Sequence, residues 1–358
     1  MIRRLSPLLL VLLAGCPKPS HPAPIDYEQS PRLPAPIAGT YGRMSATPSD
    51  PVVADIAKGK RWDAYLSGGA SALALAAAKA PQAPTPWAVR ESLWRAGYPY
   101  PVDQVVAFQG PIAVPPPDAV RTWVASVPAT SDLVLVRARG TTTEAWVGLV
   151  ATPRVELGTL PRQLDPGQTL TLPAIAGARY RIADADGRLL EGVLDGGFQV
   201  LAERQGEWVV QVLDAQGVAA WFPVYVGIAP PGDDLLPPRP ATVHDANDVA
   251  RVVVTDLASV REAYGAGSWT RDSILDAAAS RLEERPDDTL GAVLSGLGLG
   301  HPMATWTCTA PSAEACVDAW VWDPTRRGTL LSARLTHLGL AATLEGAKVR
   351  IRVVLTGD

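Results

Sequence analysis

Apolar residues fall along this chain in three rhythms. Residues 5–13 are almost unbroken apolar, a block at about 155–228 alternates, and the segments on either side repeat at helical spacing. In the first flank Trp62 precedes Leu66, Ala70 and Leu73 on one helical face; in the second Trp269 precedes Leu275, Ala279 and Leu282. The alternating block holds short β-branched and aromatic runs such as Tyr180-Arg181-Ile182, Trp208-Val209-Val210-Gln211-Val212 and Trp221-Phe222-Pro223-Val224-Tyr225-Val226. Asp186-Gly187, Gln205-Gly206 and Gln216-Gly217 punctuate them as turns. Prolines mark the borders: nine lie between Pro17 and Pro51, and a second cluster runs from Pro230-Pro231 to Pro240.

These rhythms predict an α+β chain with the boundaries 1–16 (leader), 17–49 (proline-rich tether), 50–154 (α+β unit), 155–228 (β-sandwich), 229–245 (proline-rich linker) and 246–358 (second α+β unit). Regular turns place the sandwich near the immunoglobulin-like type, as a spacer or as a sugar- or protein-binding module. The two α+β units share an order of motifs. Ala119-Val120-Arg121-Thr122-Trp123 parallels Cys316-Val317-Asp318-Ala319-Trp320, and the strand around Gly148 (146–152) parallels the one around Gly339 (337–343). The shared order argues for duplication of one unit.

The second unit resembles the CAP superfamily, the SCP-like or cysteine-rich secretory fold. Val254 to Gly265 is similar to its opening N-x-x-R-x-x-x-G helix, Ser273 to Ala279 to its L-x-x-A-A helix, and Ala319 to Leu331 followed by Thr336-His337-Leu338-Gly339-Leu340 to its W-x-x-S-P-G-H-R and T-H-V-G-V-G segments. The resemblance covers about 248–356 and extends weakly to 50–152. It implies an α-β-α sandwich, and in members with an intact cavity a set of two histidines and two acids able to hold a metal or polarise water. This chain departs from that set. Arg326 stands at the histidine of S-P-G-H-R, and an arginine stays protonated and does not bind metal. No acid occurs in Ala304-Thr305-Trp306-Thr307, where the family places a glutamate. The remnants are His301, Glu314 and Asp323, and they carry a hydrolase alternative only if His301 and Asp323 converge. Taken singly, His301 reads as a loop residue at the surface rather than as a site residue.

The N-terminus carries an address. Arg3 and Arg4, the apolar run and Leu13-Ala14-Gly15-Cys16 resemble the signal peptide and lipobox of bacterial lipoproteins. That resemblance implies cleavage before Cys16 and acylation of its thiol, palmitate being one such chain. With Pro17 rather than Asp next, it implies the outer membrane. The membrane is then a partner through the lipid.

Composition narrows the rest. A net charge of -4 and a content of 19% charged residues exclude the basic stripe of a nucleic-acid binder. Besides Cys16 the chain has Cys308 and Cys316, which in an exported protein read as a disulfide or as two buried thiols. Four scattered histidines give no metal-ligand spacing and no nucleophile triad, so neither metal nor cofactor is expected. Eleven Trp against three Phe is unusual. Trp123 and Trp320 read as core, whereas Trp306 and Trp322, with Arg326, are either core or the lining of a groove for a glycan, lipid or protein. The expectation is an envelope lipoprotein that binds without catalysis; a hydrolase acting on an envelope polymer or peptide is the alternative.

Overall fold

The computed structural model describes residues 39–79, 84, 86–112, 118–141, 143–230, 243–264, 266–285, 288–297 and 303–357. Cys16, His21 and His301 lie outside the described residues, as does 231–242 of the proline-rich linker.

Fold assembly begins before the expected boundary at 50. β1 (Thr40–Tyr41) pairs with a later strand at Pro161 and Leu160, and the Tyr41 side chain is fully buried with its ring 4.9 Å from Phe222. Residues 39–49 are therefore part of the fold, a correction to the tether 17–49. One aromatic ring and an arginine, Arg43, tie down a stretch whose composition otherwise reads as loop. The first unit continues with α1 (Pro51–Ile56), α2 (Ala64–Lys79), α3 (Pro86–Ala96), β2 (Gln104–Pro111), α4 (Asp118–Ser126), β3 (Asp132–Arg139) and β4 (Thr143–Ala151). Its sheet has the order β2-β4-β3, antiparallel throughout.

Two-residue alternation splits this sheet into two buried faces. Val134, Val147, Leu149 and Ala151 pack with Leu66, Ala70 and Leu73 of α2 and with Leu93 of α3. Leu133, Leu135, Trp146 and Val150 turn the other way, onto Val53 of α1 and Val120 and Val124 of α4. The unit is a three-layer α-β-α sandwich. Gly148 has a packing reason: a Cβ there would stand 2.2 Å from the Trp123 ring, so α4 lies as close as it does because the strand has no side chain at that point.

The middle block comprises β5 (Leu160–Pro161), β6 (Gln163–Leu164), β7 (Thr169–Leu172), β8 (Arg179–Ala183), β9 (Leu189–Val193), β10 (Phe198–Leu201), β11 (Gly206–Asp214) and β12 (Gly217–Val226). It forms a five-stranded sheet, β6-β12-β11-β8-β9, and a two-stranded ribbon, β10-β7, while β5 pairs with β1. This corrects the immunoglobulin-like sandwich with a core of its own. Ile182, Val210, Phe222 and Val224 join a single apolar cluster with Leu66, Trp94 and Tyr41 of the first unit.

The last unit runs α5 (Ala246–Ala263), β13 (Thr270–Arg271), α6 (Ser273–Glu284), α7 (Leu290–Gly296), β14 (Met303–Ala310), α8 (Ala313–Trp322), α9 (Pro324–Leu331), β15 (His337–Glu345) and β16 (Lys348–Thr356). Asp245 caps α5 through the Asp248 amide, Asp272 caps α6 and Ser312 caps α8. Its sheet order is β13-β15-β16-β14. Leu338, Leu340, Ile351 and Val353 pack on α5, α8 and α9, and Val354 packs on Leu275, Ala279 and Leu282 of α6. This too is an α-β-α sandwich, and Cys308 of β14 is disulfide-bonded to Cys316 of α8.

The units meet at a dense aromatic and ionic junction. Arg90 of α3 forks onto Asp318 of α8, and its guanidinium lies 4.9 Å from the Trp94 ring, 5.4 Å from Trp221 and 5.3 Å from Trp322. Fully buried Arg327 of α9 donates to the Glu207 carboxylate of β11 at 3.0 Å, and the Tyr264 hydroxyl donates to the same oxygen at 2.7 Å. Gly187, with φ +78°, brings the β8–β9 turn against Gly328 of α9; a Cβ on Gly328 would stand 2.1 Å from the Gly187 carbonyl oxygen.

Candidate functional site

A cleft of about 400 Å³ opens in the first unit between the 46–50 loop, α1, α2 and the outer edge of β3. Local hydrogen bonding explains its walls. Asp63 caps α2 through the Tyr65 and Leu66 amides, both at 2.9 Å, and its other oxygen takes the Met44 amide at 2.7 Å. Ala46 donates to the Trp62 carbonyl and Ala64 to the Met44 carbonyl. The loop is thus laced to the start of α2, which sets the half-buried Trp62 into the cleft wall. At the other end Asp50 caps α1 through the Val52 and Val53 amides. Ser67 and Ser71, one turn apart on α2, complete the lining with Leu135, Val136 and Arg137 of β3.

Charge in the cleft is balanced internally. Arg137 is bonded to Asp50 through Nε and Nη2, lies 3.6 Å from Glu144 and stacks 5.6 Å from the Trp146 ring. Burial works against the Asp50 charge, but the Arg137 hydrogen bond and the two capping amides outweigh it and hold the carboxyl below its usual range. Behind the cleft, buried Asp132 is gripped by Arg43 at 2.8 Å and Arg61 at 3.0 Å. Hydroxyls, an indole and backbone remain to face a ligand, a surface suited to neutral polar groups rather than to an ion.

Of the residues singled out in the sequence, the described ones do not gather into one site, and His301, whose approach to Asp323 the hydrolase alternative requires, lies outside the described residues. Glu314 is buried in the first turn of α8. Its charge, second to burial, helps push the Asp256 carboxyl of α5 up to about 6. Asp323 caps α9 through the Thr325 amide at 2.9 Å and lies 3.4 Å from Arg326, so both serve a helix start. Trp306 packs 5.9 Å from Trp320 at the edge of the last core. Trp322 lies in the junction, 4.8 Å from the Trp94 ring, so Trp306, Trp322 and Arg326 line no common groove. His337 bonds the Thr336 hydroxyl at the head of β15. Among the described residues no group of three or more His, Cys, Asp or Glu side chains is placed to hold a metal ion.

Asp50, Ser67, Ser71 and Arg137 were not singled out in the sequence, and Trp62 stood there only at the head of a helical face. Two signals pointed to them: Asp50-Pro51 is a helix start, and Arg137 is a charge in an otherwise apolar run, Leu133-Val134-Leu135-Val136. Asp256 gave no signal, since its surroundings come from α8.

No family model matches the chain, and no curated protein matches it in sequence. Among solved structures it is similar to an outer surface protein from Borrelia burgdorferi, at 16% identity and a TM-score of 0.28, over 32% of this chain and 97% of that one. A cysteine-rich secretory protein from Staphylococcus aureus matches at 13% identity and a TM-score of 0.28, over 72% of this chain and 87% of that one. An extracellular protein containing an SCP domain from Bacillus anthracis matches at 11% identity and a TM-score of 0.26, over 59% and 77%. These are distant likenesses to secreted and outer surface bacterial proteins, and no ligand or activity follows from them. Among the described residues no helix is long and apolar enough to cross a membrane.

Proposed function

We propose that this protein is a non-catalytic binding protein of the bacterial envelope, anchored at the outer membrane through lipid on Cys16, in which two CAP-like units are joined through a β-rich block. One observation carries the binding reading: the 400 Å³ cleft of the first unit, whose charges are already paired and whose remaining lining is hydroxyl, indole and backbone, the Ser71 hydroxyl donating to the Ser67 carbonyl. A volume of this size is at the low end of small-ligand sites. A polar glycan or protein segment suits that lining better than a lipid chain.

The test uses the chain lacking residues 1–16, presented to peptidoglycan-derived glycans, short peptides and lipid vesicles. Retention of at least one class, lost on Trp62→Ala with the circular dichroism spectrum unchanged, supports the reading. Failure to retain any of them leaves a structural spacer.

A hydrolytic reading has one observation in its favour. Burial, with the Glu314 charge second to it, pushes the Asp256 carboxyl up to about 6, toward the range of a general acid. Release of product from an envelope polymer or peptide, lost in Asp256→Asn and Glu314→Gln alike, would establish it; no turnover under the same conditions removes it.

A further inference from the structure

The cleft has a feature that defines its ligand more narrowly. Leu133 of β3 donates its amide outward, to the Arg61 carbonyl at 2.9 Å, and Asp132 bridges to Arg61 in parallel. Because successive residues of a strand alternate the direction of their backbone groups, Leu135 and Arg137 aim their amides and carbonyls at the same outer edge. That edge lines the cleft. Among the described residues no loop or helix carbonyl accepts the Leu135 amide there, and Leu135, 1% exposed, lies at the floor of the cleft.

The last unit shows what such an edge takes. β13 pairs in parallel with the start of β15, Thr270 with His337 and Arg271 with Leu338, as Arg61 pairs with Asp132. One step on, the Leu340 amide donates to the Asp276 carboxylate of α6 at 2.7 Å. Asp276 lies four residues after the capping Asp272; Ser67 lies four residues after the capping Asp63. Leu340 thus corresponds to Leu135, and Asp276 to Ser67, whose shorter side chain leaves the edge amide for a ligand.

We infer that the cleft binds an extended, uncharged peptide segment of a partner protein as an added strand on β3, its carbonyl taking the Leu135 amide where Asp276 takes that of Leu340. The proposal rests on the binding reading of the cleft and specifies its ligand class. Charge supports it: Asp50, Arg137 and Glu144 satisfy one another, so a neutral backbone is favoured over an ionic group. Val53 of α1 lies toward one face of the sheet and the serines of α2 toward the other, so alternate side chains of an added strand would meet an apolar and a small polar wall.

Amide hydrogen exchange across 132–139 tests the inference on the chain lacking residues 1–16. The probes are an acetylated and amidated Thr-Val-Ser-Val-Thr peptide, the same peptide N-methylated at alternate backbone positions, and a chitin-type tetrasaccharide. The unmodified peptide should slow exchange of the β3 edge at least tenfold, and N-methylation should weaken binding at least tenfold. Ser67→Asp, which installs the carboxylate of the last unit, should abolish peptide binding, whereas Ser67→Ala should retain it. Saccharide binding with no peptide effect on β3 overturns strand addition while leaving the cleft a ligand site. Equal binding of the N-methylated peptide overturns it as well. If none of the probes binds, strand addition and the binding reading fall together.

Discussion

Two three-layer units of one chain lay down helix, helix, helix, strand, helix, strand, strand in the same order, the last unit adding β13 and α9, and differ where it matters for ligands. In both, the central strand is the last one, β4 or β16, flanked by the two strands before it. In the last unit β13, Asp276 and its partner Arg271 seal the outer edge of β15. In the first, an isolated bridge at Arg61 and Asp132 is all that corresponds to β13, and the edge beyond it borders a cleft. The two units thus share a strand order and differ at one edge, where the first has Ser67 beside a cleft and the last has Asp276 bonded to the Leu340 amide.

The junction is the harshest place to break the comparison, because both units depend on it. Arg327→Ala would leave Glu207 buried without its cation, and removal of one partner of a buried pair costs about 3–5 kcal/mol. Chemical denaturation should show that loss, and proteolysis should separate the last unit from the rest. A midpoint unchanged from the parent would mean that the units hold together without this pair.

Next in size are the two close-packed glycines. A Cβ on Gly339 would meet the Leu275 backbone carbon at 2.1 Å, so α6 itself must move; Gly339→Ala should cost about 3 kcal/mol. On Gly148 the obstacles are the Trp123 ring and, at 2.8 Å, the Val106 side chain, both partly exposed and able to give, and Gly148→Ala should cost about 1 kcal/mol. Trp123→Leu should restore most of that loss, and nothing comparable should rescue Gly339→Ala. Equal costs at the two sites would show that the helices yield alike.

Those glycines also show how far the sequence was legible. The helical faces were: Leu66, Ala70 and Leu73, and Leu275, Ala279 and Leu282, are all buried as their spacing predicts. The pairing of the glycine strands was not. Gly148 lies on β4 and faces α4, whereas Gly339 lies on β15 and faces α6; topology matches β3 with β15 and β4 with β16. Similar local composition concealed a shift of one strand. The β-block misled for a related reason, since alternation reports that a strand has a buried face and does not report which element covers it. The cleft residues were least visible of all. Ser67 and Ser71 are ordinary helix residues until Arg61 and Asp63 show where β3 has its open edge.

Acid should change the junction in a defined direction. Burial pushes the Glu91 carboxyl up to about 7 against the pull of Arg90, with Glu207 and Asp318 adding to the rise. The folded state therefore binds this proton more tightly than the unfolded chain. Its unfavourable contribution is absent below the unfolded value of about 4.3, grows as pH rises, and is complete above 7. Glu91→Gln should stabilise the protein by about 3 kcal/mol at pH 8 and by little at pH 4.5. Unfolding midpoints of the two proteins that run parallel across this range would show that Glu91 keeps its proton affinity on unfolding. The last unit supplies Asp318 to this cluster but has no counterpart of Glu91 in α7, Leu290–Gly296, so only the first unit's side carries the dependence.

The smallest effect bears most directly on the edge. Asp276→Ser converts the last unit to the chemistry of the first: the Leu340 amide loses its acceptor, and Arg271 loses its partner. The ion pair is largely at the surface and contributes little. The amide bond accounts for most of the cost, about 1 kcal/mol, reduced because water can replace the carboxylate at a partly exposed site. Exchange of the Leu340 amide should rise at least tenfold with the rest of β15 unchanged. If it stays protected, something other than Asp276 closes that edge, and a lone serine at position 67 is then too small a difference to account for the open edge in the first unit.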